Sequence, residues 1–371
     1  MTASGAFGYA AVLAYCTALA VTLGVCVKAY PIGSKFSVLA YPDESRKLHK
    51  CATPQVGGIA ILAGLLVWIA IILLTHTSSD RQLLYAIGLS AVGVGTVGFA
   101  DDQTGLTPGA RVAMLIIFLG MAFALDWDFA SMRLNWGSFE PTSIPIWAYI
   151  PLMALTAGGV VNSVNMADGQ DGVAGGMFVA WSGCLMLVST GTSAAVAGVT
   201  FMLSIVFLAF NLRGKMFLGD CGSYGVTFVL GLLVTLAHAR GQVTLETVVV
   251  WFFIPVADCL RLLISRPLRG RSPFLADRDH FHHRLEDKMG KRQGLVCYLA
   301  AVSISSLVAA IEPRFALVCL CMLSAFYFSF AWLTDANIPV VKSYDEPAAP
   351  AGNVVSLQTG NAPDRRRKGA A

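Results

Sequence analysis

A ladder of amides and carboxylates lies in the segment NSVNMADGQDGVAGG, residues 162–176, just after a strongly apolar run. Its members, which we call the polar ladder, recur at every third position: Asn162, Asn165, Asp168 and Asp171. If the helix continues through them, steps of three drift slowly around it, and neighbouring members can converge on one ligand. Four glycines in the segment would let a nucleotide or another backbone approach: Gly169, Gly172, Gly175 and Gly176. Helix capping explains one such residue but not four in phase, and we predict a ligand site here.

Two further acidic positions could do related chemistry. Asp101 and Asp102 are adjacent in FADDQTGL, and neighbouring carboxylates repel unless protons or a cation hold them. This pattern suits a divalent metal or a basic substrate, although aspartates at a helix end are also common. Asp220, in FLGDCGS, could cap the helix that follows or serve as a hard oxygen ligand for Mg²⁺, which prefers few carboxylates plus phosphate oxygens.

A basic segment near residue 280 carries three histidines. HFHH, residues 280–283, which we call the histidine segment, holds His280, His282 and His283 beside several arginines. Zinc is the weaker interpretation, because no cysteine or further histidine lies nearby. Histidine and arginine together suit contacts to phosphates and sugar hydroxyls better. Asp258 and Arg261, three residues apart in an apolar run, predict a buried ion pair.

The elements that must position these residues are membrane helices. The chain is 56% hydrophobic and only 13% charged, whereas a soluble domain is about 25% charged. Apolar runs long enough to span a bilayer predict an all-α, polytopic bundle, and their lack of period-two alternation excludes a barrel. The first run lacks the features of a cleaved signal peptide. We predict eleven spans, at 6–28, 56–75, 83–100, 110–126, 145–161, 173–189, 193–211, 221–238, 243–264, 294–312 and 314–333.

Charge predicts the orientation of these spans. With the N-terminus periplasmic and the C-terminus cytoplasmic, the outer loops hold only four of the 26 lysines and arginines: Arg81, Arg133, Arg240 and Arg314. Every polar segment described above then meets the cytoplasmic face. We predict a transmembrane transferase domain over residues 1–334 and a disordered, basic cytoplasmic tail over residues 335–371.

The residues by themselves indicate a reaction class. Clustered carboxylates, glycine-bared backbone and a basic histidine segment suit the positioning and charge neutralisation that a pyrophosphate with Mg²⁺ requires. The membrane setting suggests that one substrate is a lipid. A transporter is the rival from another class, but it would need polar groups along the spans, and these are scarce. The nine cysteines include no CxxC pair that would indicate a metal or redox site.

Five motifs resemble a known family, the polyprenyl-phosphate N-acetylhexosamine-1-phosphate transferases, or glycosyltransferase family 4. They occur in the family's order: TPQVGG, ADDQTGL, NSVNMADGQDGVAGG, FLGDCGS and GRSPFLADRDHFHH. The histidine segment resembles the bacterial undecaprenyl-phosphate GlcNAc-1-phosphate transferase branch, which serves surface polysaccharides such as lipopolysaccharide. The resemblance covers about residues 45–288 and leaves out the C-terminal tail.

The resemblance also implies roles for individual residues. Asp220 would be the principal ligand of Mg²⁺, or of Mn²⁺, assisted by Asn165. The catalytic set would be Asp101, Asp102, Asp168 and Asp171. The substrate-binding set would be Lys47, Asn162, Asn211, Phe217, Arg271, His280, His282 and His283. Within these sets, Asp101 and Asp102 would meet the lipid phosphate, and the histidines would bind the sugar or its diphosphate. Whether Asp101 acts as a base stays open.

The implied reaction joins a UDP-N-acetylhexosamine to undecaprenyl phosphate in the bacterial inner membrane, with the active site on the cytoplasmic face. GlcNAc is the expected sugar, and the products are the lipid-diphospho-sugar and UMP. GalNAc, a deoxy-amino sugar or the muramyl-pentapeptide are alternatives. No nucleic acid is expected as a partner, and a homodimer is left open.

Overall fold

The computed structural model describes residues 3–41, 52–75, 80–130, 133–137, 142–273 and 277–335. Within these residues the chain forms thirteen α-helices and two short pairs of strands. The helices are α1 (Ala3–Val27), α2 (Ala29–Lys35), α3 (Gly57–Thr75), α4 (Arg81–Thr104), α5 (Pro108–Leu125), α6 (Ile146–Ala167), α7 (Val173–Val188), α8 (Gly191–Asn211), α9 (Gly219–Ala239), α10 (Leu245–Leu268), α11 (Phe281–Met289), α12 (Lys291–Ile311) and α13 (Ala316–Asp335).

Each of the eleven predicted spans is a helix, so the prediction of an all-α, polytopic membrane protein is confirmed. Ten of them are long and apolar enough to cross a bilayer, and the eleventh, α7, has only 16 residues. The amphipathic α11 and the short α2 were not predicted. The orientation of the termini stays a prediction. Apart from Asp335, the predicted tail lies outside the described residues.

Helix α9 lies at the centre of the bundle. It packs against α3, α4, α6 and α7, and its side chains are buried along almost its whole length. Such a helix has no lipid-facing stripe. The N-terminus of α9 carries Asp220, and the bundle end at which it lies is called the site end below.

Glycines let three helices meet backbone to backbone at the site end. A β-carbon at Gly58 of α3 would overlap the backbone of Gly222 in α9. One at Gly98 of α4 would overlap the carbonyl of Asp220. Only glycine permits such an approach, and it fixes the start of α9 against both neighbours.

The loop before α9 is attached to the start of α3 by main-chain hydrogen bonds. Strand β1 (Leu39–Ala40) pairs antiparallel with β2 (Thr53–Pro54). Phe217 donates its N–H to the carbonyl of Pro54 at 2.9 Å, and it accepts from the N–H of Gly57 at 2.9 Å. The second pair, β3 (Arg133–Leu134) with β4 (Thr142–Ser143), lies between α5 and α6.

Candidate active site

Asp102 lies at the end of α4 and accepts hydrogen bonds from the first turn of α9. Its carboxylate oxygens receive the N–H groups of Asp220 at 3.0 Å and Cys221 at 3.1 Å. The amide of Gln55 donates to the same carboxylate at 3.3 Å. The first N–H groups of a helix have no partner within the helix and favour negative charge, so this end of α9 stabilises the Asp102 carboxylate.

Asn165 joins α6 to the same place. Its side-chain amide donates to Asp220 Oδ1 at 2.6 Å and to Ser223 Oγ at 2.9 Å. Both contacts use the amide nitrogen of Asn165, so its amide oxygen takes no part in them. The two residues predicted as metal ligands are therefore neighbours.

Asp168 caps the end of α6 and completes the acidic cluster, which comprises Asp102, Asp168 and Asp220. Burial raises the pKa of the Asp168 carboxyl well above its ordinary value, and the charges of Asp220, Asp171 and Asp102 raise it further. Three carboxylates thus repel one another in a poorly hydrated place, and a cation would relieve the repulsion.

The polar ladder does not continue as one helix, which differs from the geometry considered for it. Helix α6 ends at Ala167, a turn follows, and α7 begins only at Val173. Asp171 therefore points elsewhere, toward the amide of Asn211 at 3.4 Å and Lys291 Nζ at 3.2 Å. Asn162 is exposed, and its amide contacts the sulfurs of Met166 and Cys259 rather than the acidic cluster.

Asn211 ties this turn to the end of α8. It accepts from the N–H of Gly172 at 2.7 Å and donates to the carbonyl of Met216 at 2.9 Å. Gly172 has a φ of 95°, a conformation that favours glycine, so the turn depends on this residue. Asn211 holds the loop that leads to Phe217, which itself lies between β2 and α9.

Asp101 is adjacent to Asp102 in sequence but has a different environment. Its side chain is 1% exposed and forms an ion pair with Arg111 at 2.9 Å. It also accepts from Tyr224 Oη at 2.7 Å and from the N–H of Leu106 at 2.6 Å. These partners favour a structural role for Asp101, in which it fixes the end of α4 against α9.

The histidine segment lies directly against the polar ladder. A β-carbon built on Gly169 would lie 2.7 Å from His282 Nε2 and 3.2 Å from His283 Nε2. Burial lowers the pKa of both imidazoles, that of His282 strongly, and the neighbouring charges of His283 and Arg278 lower them further. His282 Nε2 is buried and has no hydrogen-bond partner within the described chain. An unpaired buried nitrogen facing a site is suited to a ligand.

His280 faces the other way, toward a charged network. Its Nδ1 lies 3.0 Å from Asp258, which also accepts the N–H of Phe281 at 3.1 Å. The predicted pair of Asp258 with Arg261 is confirmed at 3.0 Å, and Tyr327 Oη donates to the same carboxylate at 3.0 Å. This aspartate therefore fixes the start of α11, which the sequence did not predict.

Two residues of the predicted substrate-binding set, Arg271 and Lys47, remain to be placed. Arg271 lies in the turn after α10, where its N–H donates to the carbonyl of Arg266 at 2.9 Å. Lys47 lies outside the described residues. The structure therefore brings most of the predicted set to one end of the bundle, while Asn162 and His280 have their contacts elsewhere.

The donor set fits Mg²⁺ in its chemistry. In the described part of the chain, no group of three or more His, Cys, Asp or Glu side chains is arranged to hold a metal ion. Mg²⁺ does not require one, since it binds through one or two carboxylates plus substrate phosphates and waters. Oxygen ligands from Asp220 and Asn165, in a cluster of repelling carboxylates, meet that requirement.

Three residues of the site were missed by sequence reasoning: Gln55, Tyr224 and Lys291. Tyr224 stands four residues after Asp220, so helical spacing places both on one face of α9, and this signal could have identified it. Gln55 and Lys291 belong to segments distant in sequence, and no local pattern marks them.

A model of the protein family described as glycosyl transferase family 4 matches residues 83–238. That range runs from α4 to α9 and includes the whole acidic cluster. Three named proteins are similar over longer ranges.

An undecaprenyl-phosphate alpha-N-acetylglucosaminyl 1-phosphate transferase of Escherichia coli (strain K12) is 28% identical over 327 residues, covering 80% of this chain and 85% of the relative. A decaprenyl-phosphate N-acetylglucosaminephosphotransferase of Mycolicibacterium smegmatis is 28% identical over 283 residues, or 68% of this chain and 69% of the relative. A probable undecaprenyl-phosphate N-acetylglucosaminyl 1-phosphate transferase of Bacillus subtilis (strain 168) is 27% identical over 288 residues, with 74% and 76% covered.

Proposed function

We propose that the chain is a member of glycosyl transferase family 4 and that it transfers GlcNAc-1-phosphate from UDP-GlcNAc to undecaprenyl phosphate. A phosphate oxygen of the lipid attacks the β-phosphorus of the nucleotide sugar. The bond from that phosphorus to the oxygen bridging the two phosphates breaks, and UMP leaves with the electron pair. The product is undecaprenyl-diphospho-GlcNAc, a starting lipid for surface polysaccharide.

The observation that carries this proposal is the acidic cluster at the site end of a membrane bundle. Asp102 and Asp220 are joined through the first turn of α9, and Asp168 lies within their field. Two phosphorylated substrates bring more negative charge to this place, so the cluster is useful only with a cation. This requirement supports a metal-dependent transfer.

Mg²⁺, or Mn²⁺ in its place, would be held by Asp220 and Asn165. When bound, the ion supplies neutralisation of phosphate charge and orientation of the diphosphate. Asp102 is held by the α9 N–H groups, so it positions the first turn of the helix that carries Asp220. Asp101, enclosed by Tyr224 and Arg111, orients the end of α4 and is not needed as a base, because a lipid phosphate is already largely ionised near neutral pH.

The nucleotide sugar would lie between the polar ladder and the histidine segment. His282 and His283 approach Gly169 closely, and His282 Nε2 is free to contact the sugar or the diphosphate. Asp171 and Asn211 form the neighbouring wall, with Phe217 on the adjoining loop. Neutral imidazoles provide both donors and acceptors, which suits sugar hydroxyls and the N-acetyl group.

An apolar groove between α5, α6, α9 and α10 would hold the lipid chain. The groove reaches Val161 and Thr227, one helical turn from Asn165 and Ser223, so it begins beside the acidic cluster. Its wall includes Leu119, Met153, Val161, Thr227, Leu232 and Phe252. An isoprenoid chain there would place its phosphate near the cluster.

The decisive experiment uses the purified protein in lipid nanodiscs with undecaprenyl phosphate and a panel of UDP-sugars. We expect UMP release and a lipid-diphospho-GlcNAc in the mass spectrum of the lipid extract. Asp102→Asn serves as the inactive control. A product carrying only GalNAc, a deoxy-amino sugar or muramyl-pentapeptide would replace the proposed donor, and absence of any lipid product would reject the transferase.

We also propose that the site end faces the cytoplasm of a bacterial inner membrane, with the N-terminus periplasmic. Single cysteines at Lys288 and Ser356, in a cysteine-free background, should resist an impermeant reagent in intact cells. A cysteine at Ser138, in a predicted outer loop, should react. Labelling of Lys288→Cys in intact cells would indicate the opposite orientation, with the site end facing the periplasm.

A further inference from the structure

Glu286 lies three residues after His283 on α11 and contacts its imidazole. Glu286 Oε2 is 3.3 Å from His283 Nδ1, and the same oxygen accepts from Arg278 Nη2 at 3.2 Å. The contact with Arg278 is an ion pair. An ionised carboxylate can only accept hydrogen bonds, so the hydrogen between Glu286 and His283 is carried by Nδ1 of the imidazole.

The imidazole of His283 is held in its neutral form. Burial lowers its pKa and the charge of Arg278 lowers it further, whereas Glu286 acts in the opposite direction. Because Arg278 already compensates the carboxylate of Glu286, little negative charge is left to stabilise a protonated ring. A neutral imidazole carries one ring hydrogen, and with that hydrogen on Nδ1 the other nitrogen, Nε2, can only accept.

His283 Nε2 faces the turn of the polar ladder. A β-carbon built on Gly169 would lie 3.2 Å from this nitrogen. Within the described part of the chain, the hydrogen bond of the imidazole is made through Nδ1. The side chain is 11% exposed, so it is not sealed from the site. A ligand that meets His283 at the turn therefore meets an acceptor.

An acceptor nitrogen distinguishes between the parts of a nucleotide sugar. The ionised oxygens of a diphosphate are themselves acceptors, so they cannot form a hydrogen bond with a lone pair on Nε2. The hydroxyl groups of a sugar and the N–H of an acetamido group are donors, and they can.

We propose that Glu286 is a positioning residue, which holds His283 in the tautomer whose Nε2 accepts from a hydroxyl or amide N–H of the donor sugar. The inference rests on the proposed function and narrows it, because it assigns His283 to the sugar and not to the diphosphate. Glu286 lies three residues beyond the last of the five motifs, so the resemblance assigns it no role.

The ion pair with Arg278 gives Glu286 a competing, purely structural role, and two substitutions separate the roles. Glu286→Gln removes the charge but keeps an oxygen. Since a guanidinium only donates, Arg278 selects the oxygen of the new amide, and His283 Nδ1 keeps its acceptor. Glu286→Ala removes both the charge and the acceptor. A structural ion pair would be lost equally in both variants, whereas the tautomer should survive in Glu286→Gln alone.

Nuclear magnetic resonance of ¹⁵N-labelled histidine reads the tautomer in the full-length protein without nucleotide. The signals of His283 are assigned by their loss in His283→Ala. Wild type and Glu286→Gln should show the hydrogen on Nδ1, and Glu286→Ala should shift it toward Nε2. Asp287→Asn is the matched control, because this exposed carboxylate lies 3.9 Å from Arg278, and its spectrum should equal that of wild type. A wild-type hydrogen on Nε2 would overturn the proposal.

Calorimetry with UDP-GlcNAc and UDP tests the consequence for binding. Glu286→Ala should weaken UDP-GlcNAc about tenfold, through loss of one hydrogen bond, and should leave UDP, which lacks the sugar, nearly unchanged. In a His283→Ala background the same substitution should have no further effect, because Glu286 acts through His283.

Equal weakening of both nucleotides would overturn the proposal, since it indicates contact with the diphosphate. So would equal losses in Glu286→Gln and Glu286→Ala, which indicate the ion pair. Failure of wild type to bind UDP-GlcNAc would instead reject the proposed function, and the spectrum without nucleotide would still decide the tautomer.

Discussion

Buried aspartates at the same end of the bundle form two groups, the acidic cluster and Asp258 with its donors, and the groups differ in how far positive charge compensates them. In the acidic cluster, Asp168 has its pKa raised by burial and by Asp220 and Asp102. In the second group, Asp258 accepts from an arginine, a tyrosine, a backbone N–H and an imidazole. One group is short of positive charge, whereas the other group is saturated with donors.

The difference separates residues kept for a ligand from residues that hold the fold. A buried carboxylate without cations destabilises the protein, and such a cluster persists where a substrate or metal completes it. A buried carboxylate with several donors is costly to change, because removing it leaves its cationic partners uncompensated. Substitutions in the acidic cluster should therefore reduce activity without reducing stability, whereas substitution of Asp258 should reduce stability.

The largest effect is expected at Asp220. Asp220→Asn should lower kcat at least about 10²-fold, the scale of losing a major charge-stabilising group. The melting temperature should stay the same or rise, because the substitution removes a charge that repels Asp168. Steady-state kinetics and thermal unfolding in the same detergent measure both. Excess chelator should abolish turnover of wild type, and undiminished turnover there would contradict the metal requirement.

Asp258→Asn should give the opposite result for stability. The free energy of unfolding should fall by about 3 kcal/mol, as expected when one partner of a buried ion pair is lost. Transfer activity should fall with it, because His280 and the start of α11 lose their acceptor. Thermal unfolding compared with that of Tyr327→Phe, which removes a single donor, gives the scale. A stable, fully active Asp258→Asn protein would remove the distinction between the groups.

A smaller effect is expected at His282, which lies between the two groups. His282→Ala should weaken binding of UDP-GlcNAc about tenfold, through loss of a hydrogen bond to the sugar or diphosphate. Binding of UMP, which lacks the sugar, should change little. Calorimetry with both nucleotides measures the difference. Equal weakening for both, or release of a stoichiometric zinc ion from the mutant, would contradict contact with the sugar.

The smallest effect is expected in the groove beside the acidic cluster. Gly231 lines this groove, and a β-carbon there would meet no atom within 4 Å. Gly231→Phe should raise KM for undecaprenyl phosphate about fivefold, since burying less of the chain forfeits about 1 kcal/mol. KM for UDP-GlcNAc should not change. Gly24→Phe, at an equally open position on α1, is the matched control, and the same KM increase in both would locate the chain elsewhere.

Local sequence predicted the helices and the acidic residues but not their partners. Apolar runs of bilayer length identify spans because the lipid imposes their length. The exact end of α4 at Thr104, which places Asp101 and Asp102 within the helix, depends on Gly105 in a left-handed conformation. That end was not deduced from the apolar run alone.

The contrast between Asp101 and Asp102 also lay beyond the sequence. Adjacent residues on a helix point about 100° apart, so one of a pair can face the protein while the other faces a site. Which one does so depends on α9 and on Arg111, which contact Asp101 only after the bundle has assembled. The turn within the polar ladder was likewise beyond the local sequence, because its position at Gly172 is stabilised by Asn211 from another helix.

The backbone contacts of α3, α4 and α9 have a consequence for engineering a more thermostable protein. Replacing helical glycines by alanine commonly stabilises a protein by about 0.4–1 kcal/mol, through a less flexible unfolded chain. Gly120 and Gly158, where an added methyl meets nothing, are candidates for this gain. At Gly58 and Gly98 the same methyl would separate the helices and shift Asp102 relative to α9. A consensus or library design that treats all glycines alike would therefore raise stability at the open positions while erasing the geometry of the site end.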